Sequence, residues 1–314
     1  MLSKHRGEFF LVLGAFFFSA NGIVAIVVLE HMPAFRLAQV RSFSAALILI
    51  IYVLLKNPGL IKITKRQIPY FAMYGTVGFA FVNFGYFLGI ERGIPLGLVL
   101  ILEFTASIWI ALWIKFVRRG FVARDMWVAI ALSLTGLVLV SKAWDGFKFD
   151  FIGIAGSLGS AFALAAYFLM SEKIGKGRQP IAMLIFGMGF ASLFWMIVLP
   201  PWKFPFQVFT TEMDMGGIAE GFSLPGWVLI LYVIIMGTVV PYLCVLTGMR
   251  LLTASTSSVI GMLEPVIAGG FAWIWFSQSW DFIQLMGASV VLIGIYLADR
   301  AKTCLLYTSD AADE

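Results

Sequence analysis

Two carboxylates in this chain sit where a carboxylate is costly. Leu102-Glu103 and Leu263-Glu264 both lie inside long apolar runs. Each follows a Gly-Thr-Val triplet, Gly75-Thr76-Val77 and Gly237-Thr238-Val239, at almost the same separation. An ionisable group at bilayer depth is rare and by default marks a functional site. Glu264 precedes Pro265, which cannot donate to the carbonyl of Gly261 and tends to kink the helix there. The freed carbonyl and the carboxylate then both need partners, and a water-lined cavity would supply them. Ser257, Gly261 and Glu264 share one helical face at i, i+4, i+7 spacing. Ser257 and Glu264 are therefore candidates for a cavity wall that contacts solute. The alternative is a hydrogen-bonded Glu264 that holds two helices in register. Glu103 shares a face with Val99, Leu100 and Ser107. Low-dielectric surroundings penalise the charged form of a carboxyl group, which makes Glu103 the candidate proton carrier. Its competing role is structural pairing with a buried donor.

Amides and phenols complete the polar inventory of the spans. Asn83 and Tyr86 lie three residues apart in the third apolar run, and Asn21 lies in the middle of the first. Tyr167 and Tyr242 are their weaker counterparts in the second half, with Pro241 beside Tyr242 freeing the Gly237 carbonyl. These groups suit a cavity for polar or aromatic solutes, or else interhelical hydrogen bonds averaging about 0.6 kcal/mol. Arg41 is read as an interfacial residue that snorkels, not as a solute anchor. Gly85 with Gly89, and Gly153, Gly156, Ser157, Gly159 and Ser160, read as close-packing stripes. No catalytic set, metal site or cofactor site is expected. The histidines are His5 and His31, at the ends of the first span, and no G-x-x-x-x-G-K-[ST] sequence for ATP is present. Cys244 falls in a span and Cys304 in the tail, which gives no disulfide framework.

The elements that must position these residues are helices in lipid. Of 314 residues, 61% are hydrophobic and 12% charged, with a mean hydropathy of +0.96. Soluble chains carry roughly 25% charged residues. At about 20 residues per span, the spans fall near 8–29, 34–55, 68–90, 95–115, 126–142, 152–171, 181–199, 225–247, 254–276 and 281–299. Their unbroken apolar character predicts helices, since barrel strands would alternate. The first run is too long for the apolar core of a signal peptide and is read as a retained span.

A net charge of +5 does not point to nucleic acid here. The basic residues cluster after alternate spans: Lys56, Lys62, Lys65 and Arg66; Lys115, Arg118, Arg119 and Arg124; Lys173, Lys176 and Arg178. The other side collects Asp145, Asp150, Glu212, Asp214, Glu220 and Asp281. The positive-inside rule then puts both termini in the cytoplasm. An odd number of spans per half inverts the second half relative to the first. The expected units are 8–142 and 152–299, with a break near 143–151. Leu134-Thr135-Gly136-Leu137 and Leu292-Ile293-Gly294-Ile295 repeat in their last spans. The 200–224 loop is read as a connector carrying interfacial aromatics, with a gating lid as the alternative. The 303–314 tail has no counterpart in the first half and reads as non-native sequence, unless it is a short native tail.

The chain resembles the EamA family of the drug/metabolite transporter superfamily over roughly residues 8–298. The matching pieces are Ser19-Ala20-Asn21-Gly22, Arg41-Ser42-Phe43, and Ala254-Ser255-Thr256-Ser257-Ser258 leading to Leu263-Glu264-Pro265, with glycine in the last span of each half. The resemblance implies ten helices around a central cavity, and export or exchange of small metabolites by alternating access. Where that pattern would place proline after Leu102-Glu103, this chain has Phe104, which leaves a break in the fourth span an open question. The resulting expectation is an all-α integral membrane protein, with ten transmembrane helices as two inverted five-helix repeats. It would act as a secondary transporter in a bacterial inner membrane, with or without proton coupling. Its solutes would be small metabolites, amino acids or related compounds being the candidates. The competing readings are a non-transporting receptor or scaffold and an uptake uniporter of the same fold. A membrane-embedded enzyme would need a clustered acid, base or metal site that the sequence does not offer.

Overall fold

A computed structural model describes residues 5–142, 144, 150–277 and 279–310, with side chains as far as Ala301. Ten helices in it are long and apolar enough to cross a membrane. They are α1 (Arg6–Leu29), α2 (Ala34–Lys56), α3 (Lys65–Glu91), α4 (Leu96–Val117) and α5 (Arg124–Ser141) in the first half. The second half has α6 (Phe151–Gly175), α7 (Pro180–Val198), α8 (Gly226–Met249), α9 (Ala254–Phe276) and α10 (Phe282–Ala301). Each matches an expected span to within a few residues. Prolines set several starts, where a missing N–H costs nothing: Pro33 before α2, Pro95 before α4, Pro180 in the first turn of α7 and Pro225 before α8. Asp150 caps α6 by accepting from the Gly153 N–H at 2.7 Å. The backbone of α10 continues as helix to Asp310, so most of the expected tail prolongs the last span. Residues 311–314, and residues 143 and 145–149 of the expected break between the repeats, lie outside the described residues.

The helices associate in a pattern that repeats when five is added to each number. α1 lies along α8 as α6 lies along α3; α1 meets α9 as α6 meets α4. α2 crosses α7, and α5 runs beside α10. The main core sits between α2, α3, α6, α7 and α8, where Tyr74, Phe79, Met183, Trp195 and Leu246 are almost fully buried. Large apolar side chains such as Leu55, Phe116, Ile197 and Phe282 cover the outside, as a lipid-facing surface requires.

Regular helix gives way at related places in the two halves. Thr76–Phe81 in α3 and Ile235–Val239 in α8 form wide π-helical turns; the second contains its whole Gly-Thr-Val triplet, and the first starts at Thr76, one residue after Gly75. Such turns insert one residue into the helical ladder and concentrate at functional sites. α9 is interrupted at Met262, three residues before Pro265, which then falls in the first turn of the new segment and costs no bond. α4 is interrupted at Thr105, although no proline stands there. There the Thr105 hydroxyl donates to the Leu102 carbonyl at 2.6 Å, a side-chain bond that does the work expected of proline. A third wide turn, Trp113–Val117, ends α4.

The connection between α7 and α8 has structure of its own. β1 (Glu212–Asp214) pairs antiparallel with β2 (Ser223–Pro225), and Met213 of β1 is fully buried against Val208 and the start of α8. It is a packed cap over that end of the bundle. Beneath it α1, α8 and the far half of α9 border an open apolar cleft of about 530 Å³.

Candidate functional site

The polar residues of the spans meet where the wide turn of α8 faces α1 and α2. Arg41, seven residues into α2, reaches across to α8. Its Nε donates to Thr238 Oγ1 at 2.9 Å and its Nη2 to the Gly237 carbonyl at 3.2 Å. That carbonyl is the one Pro241 cannot serve, so Arg41 supplies the partner the sequence calls for. Thr238 in turn donates to the Val233 carbonyl, five residues back, at 3.0 Å. The Asn21 side chain of α1 lies directly against the Cα of Gly237, a place that any Cβ would fill. Its Oδ1 is buried and has no hydrogen-bond partner among the described residues.

A small cavity opens beside this contact, about 10 Å³, roughly the space of one water. It is lined by Arg41, Ser42, Phe79, Asn83, Thr238 and Tyr242, among others. Tyr86 lies within electrostatic range of Arg41, Glu103 and Glu264, and so does Tyr242. Glu103 and Glu264 also act on each other. The carboxyl groups that follow the two helix breaks thus lie within charge–charge range of each other, and Glu264 within range of Arg41.

The two glutamates are held by serines from the first helix of the opposite half. Ser160 of α6 donates from Oγ to Glu103 Oε1 at 2.9 Å. Ser19 of α1 donates to the main-chain carbonyl of Glu264 at 2.8 Å. The Glu103 carboxylate is thus engaged, whereas the Glu264 carboxylate has no hydrogen bond or ion pair among the described residues. The close-packing stripes make this possible. Gly85 of α3 meets Gly156 and Ser160 of α6, and Gly89 meets Ser157. Gly159 has no such neighbour and is not part of the contact.

The sequence-derived candidates divide accordingly. Asn83 and Tyr242 line the small cavity, Asn21 adjoins it through Gly237, and Tyr86, Glu103 and Glu264 surround it electrostatically. Tyr167 stands one layer behind: it stacks on Tyr74 at 6.1 Å and meets Phe79 and Tyr242 edge-on. Ser257 is fully buried on the other side of the Met262 interruption from Glu264, which breaks the single face expected for the two. Sequence reasoning placed Arg41 at the interface and gave Thr238 no role, whereas the structure bonds the two to each other. The signal for both was the Gly237 carbonyl, which Pro241 leaves without a donor.

Ten helices long and apolar enough to cross a membrane, in two halves, with interrupted spans and polar groups meeting between helices, are the architecture of a secondary transporter. Comparison with known proteins makes the class specific. The model of the EamA-like transporter family matches residues 5–142 and 151–298, one match per half, and the chain belongs to this family. It is 23% identical to the uncharacterized transporter YdfC of Bacillus subtilis, over 85% of this chain and 80% of that protein. It is 25% identical to the threonine/homoserine exporter RhtA of Escherichia coli K12, over 81% of this chain and 78% of that one. A probable amino-acid metabolite efflux pump of Salmonella typhimurium LT2 is 24% identical, over 94% and 95% of the two chains. One solved crystal structure shares the fold at a TM-score of 0.73 and 15% identity, over 94% of this chain and 96% of its own.

Proposed function

We propose that this protein exports small metabolites, amino acids and related compounds, across a bacterial inner membrane by alternating access. The observation that carries the reading is that Arg41 of the first half binds the wide turn of α8 in the second, beside a small cavity lined by Asn83 and Tyr242, with Glu264 within charge range. Buried charge of this kind is retained in lipid where a solute or ion uses it. Solute contact falls to Asn21, Asn83, Tyr86, Tyr242 and Glu264, with Tyr167 shaping the aromatic wall and Ser257 packing α9. Glu103 is the proton-coupling group, and protonation at either carboxyl group changes the field at the other. The names of two relatives, a threonine/homoserine exporter and a probable amino-acid metabolite efflux pump, support the solute class. The basic residues on the face that bears the termini support a cytoplasmic placement of both ends.

The Ser160 bond to Glu103 favours a second reading for that residue alone, a structural clamp between α4 and α6. A metabolite screen in proteoliposomes, with and without an imposed pH gradient, tests both. The proposal expects saturable movement of amino acids that the gradient accelerates. Transport indifferent to the gradient leaves Glu103 as the clamp, and no movement of any metabolite removes the exporter reading.

A further inference from the structure

Arg41 is held within the bundle with part of its hydrogen-bonding capacity unused. Its guanidinium offers five N–H donors, and two of its nitrogens are used, both on neutral oxygens of α8. No carboxylate lies within 4.0 Å of it among the described residues, where the ion pairs are His5–Asp299, Arg118–Glu172 and Lys142–Asp281. Nη1 takes no partner there, and the side chain borders the small cavity. Glu264 offsets the Arg41 charge only at longer range, with no direct ion pair, and a planar guanidinium with a free edge matches one ligand group best, a carboxylate held by two parallel N–H bonds.

The opposite requirement stands nearby, on Glu264 within charge range of Arg41 and on Asn21 behind Gly237. The Glu264 carboxylate is unengaged, and Asn21 Oδ1 is a buried acceptor without a donor. Both want N–H or O–H groups from a ligand. We propose that Arg41 is the carboxylate subsite of the transport path, facing an amine subsite made by Glu264 and Asn21, so that the solutes are zwitterions of the α-amino-acid type. This rests on the exporter reading above. A zwitterion brings no net charge into the low-dielectric site, which an amine alone or an acid alone would do. The cavity holds about one water as it stands, so solute enters only when the halves part, and the interruptions at Thr105 and Met262 give the helices places to bend.

The test uses the full chain in proteoliposomes, loaded with labelled amino acids from the screen. Each transported solute is competed by itself, by its amide and by its decarboxylated amine. Wild type should prefer the parent over both analogues by about tenfold or more, as expected when one partner of a buried charge pair is removed. Arg41→Gln should lose that preference, with the amide competing as well as the parent, and Arg41→Lys should restore part of it. Thermal unfolding of each variant in detergent checks that it is folded. If Arg41→Gln keeps the wild-type preference, or if wild type itself accepts amide and parent equally, the assignment is wrong. The wild-type arm decides even if Arg41→Gln does not fold. Absence of all transport would count against the exporter reading, whereas transport blind to the carboxylate counts only against Arg41.

Discussion

Glu103 and Glu264 occupy equivalent places in the two halves, yet their side chains are in different company. Ser160 holds the carboxylate of Glu103, while Ser19 holds only the backbone of Glu264. This difference separates their roles in experiment. Glu103→Gln should keep the fold and solute exchange but lose acceleration by a pH gradient, measured as initial rates in proteoliposomes with and without that gradient. Full gradient-driven transport by Glu103→Gln would return Glu103 to the clamp role. Gly237→Ala tests the seat of Asn21, because the new Cβ would occupy the space of its amide. Overpacking of this kind costs about 1–3 kcal/mol, and the melting temperature should fall accordingly, more than for Gly159→Ala, which meets open space. Most of this locus was legible in residue types: Asn21, Asn83, Tyr86 and Tyr242 are polar groups in apolar runs. Arg41 was not. Seven residues into α2, about 10 Å along the axis, its charge could reach either the interface or the core, and only the neighbouring helix decides.

At the scale of elements, all ten spans could be read from apolar run length, because a helix in lipid must satisfy its own backbone. What could not be read is where helices yield. A wide turn adds one residue without changing composition, so Thr76–Phe81 and Ile235–Val239 leave no trace in hydropathy. The break in α4 likewise has no proline to announce it and depends on the Thr105 hydroxyl. Thr105→Val should straighten α4, leaving expression intact while slowing transport severalfold; unchanged rates would make the break incidental. The cap between β1 and β2 escaped because each strand is three residues long. Outside the lipid, Lys142 at the end of α5 pairs with Asp281 before α10 at 2.6 Å. The hydrogen bond from Lys142 holds the Asp281 carboxyl below its usual range, helped by the Gln284 backbone. A depressed folded value gives stability that is present above the unfolded value, about 3.9, and is lost as pH falls through the folded one. Asp281→Asn should therefore lower the melting temperature slightly at neutral pH, and the gap should close in acid and in high salt.

For the whole molecule, the two halves make matching contacts when five is added to each helix number, and that pairing puts both glutamates at one locus. The orientation is tested by single cysteines. Those at Lys62, Arg118 and Lys176 should resist an impermeant thiol reagent outside intact cells, while one at Glu220 should react; labelling at Lys62 and Arg118 from outside would overturn the cytoplasmic placement. The central claim is that solute passes through the cluster beside the wide turn of α8. Asn83→Cys in a background lacking Cys244 and Cys304 places a thiol in the wall of the small cavity. Its rate of modification by a small membrane-permeant thiol reagent is measured in proteoliposomes with increasing transported amino acid. The account predicts that the solute slows modification at least severalfold, with a midpoint that follows its transport affinity, while a metabolite that is not transported has no effect. Modification at the same rate with and without saturating solute would contradict it.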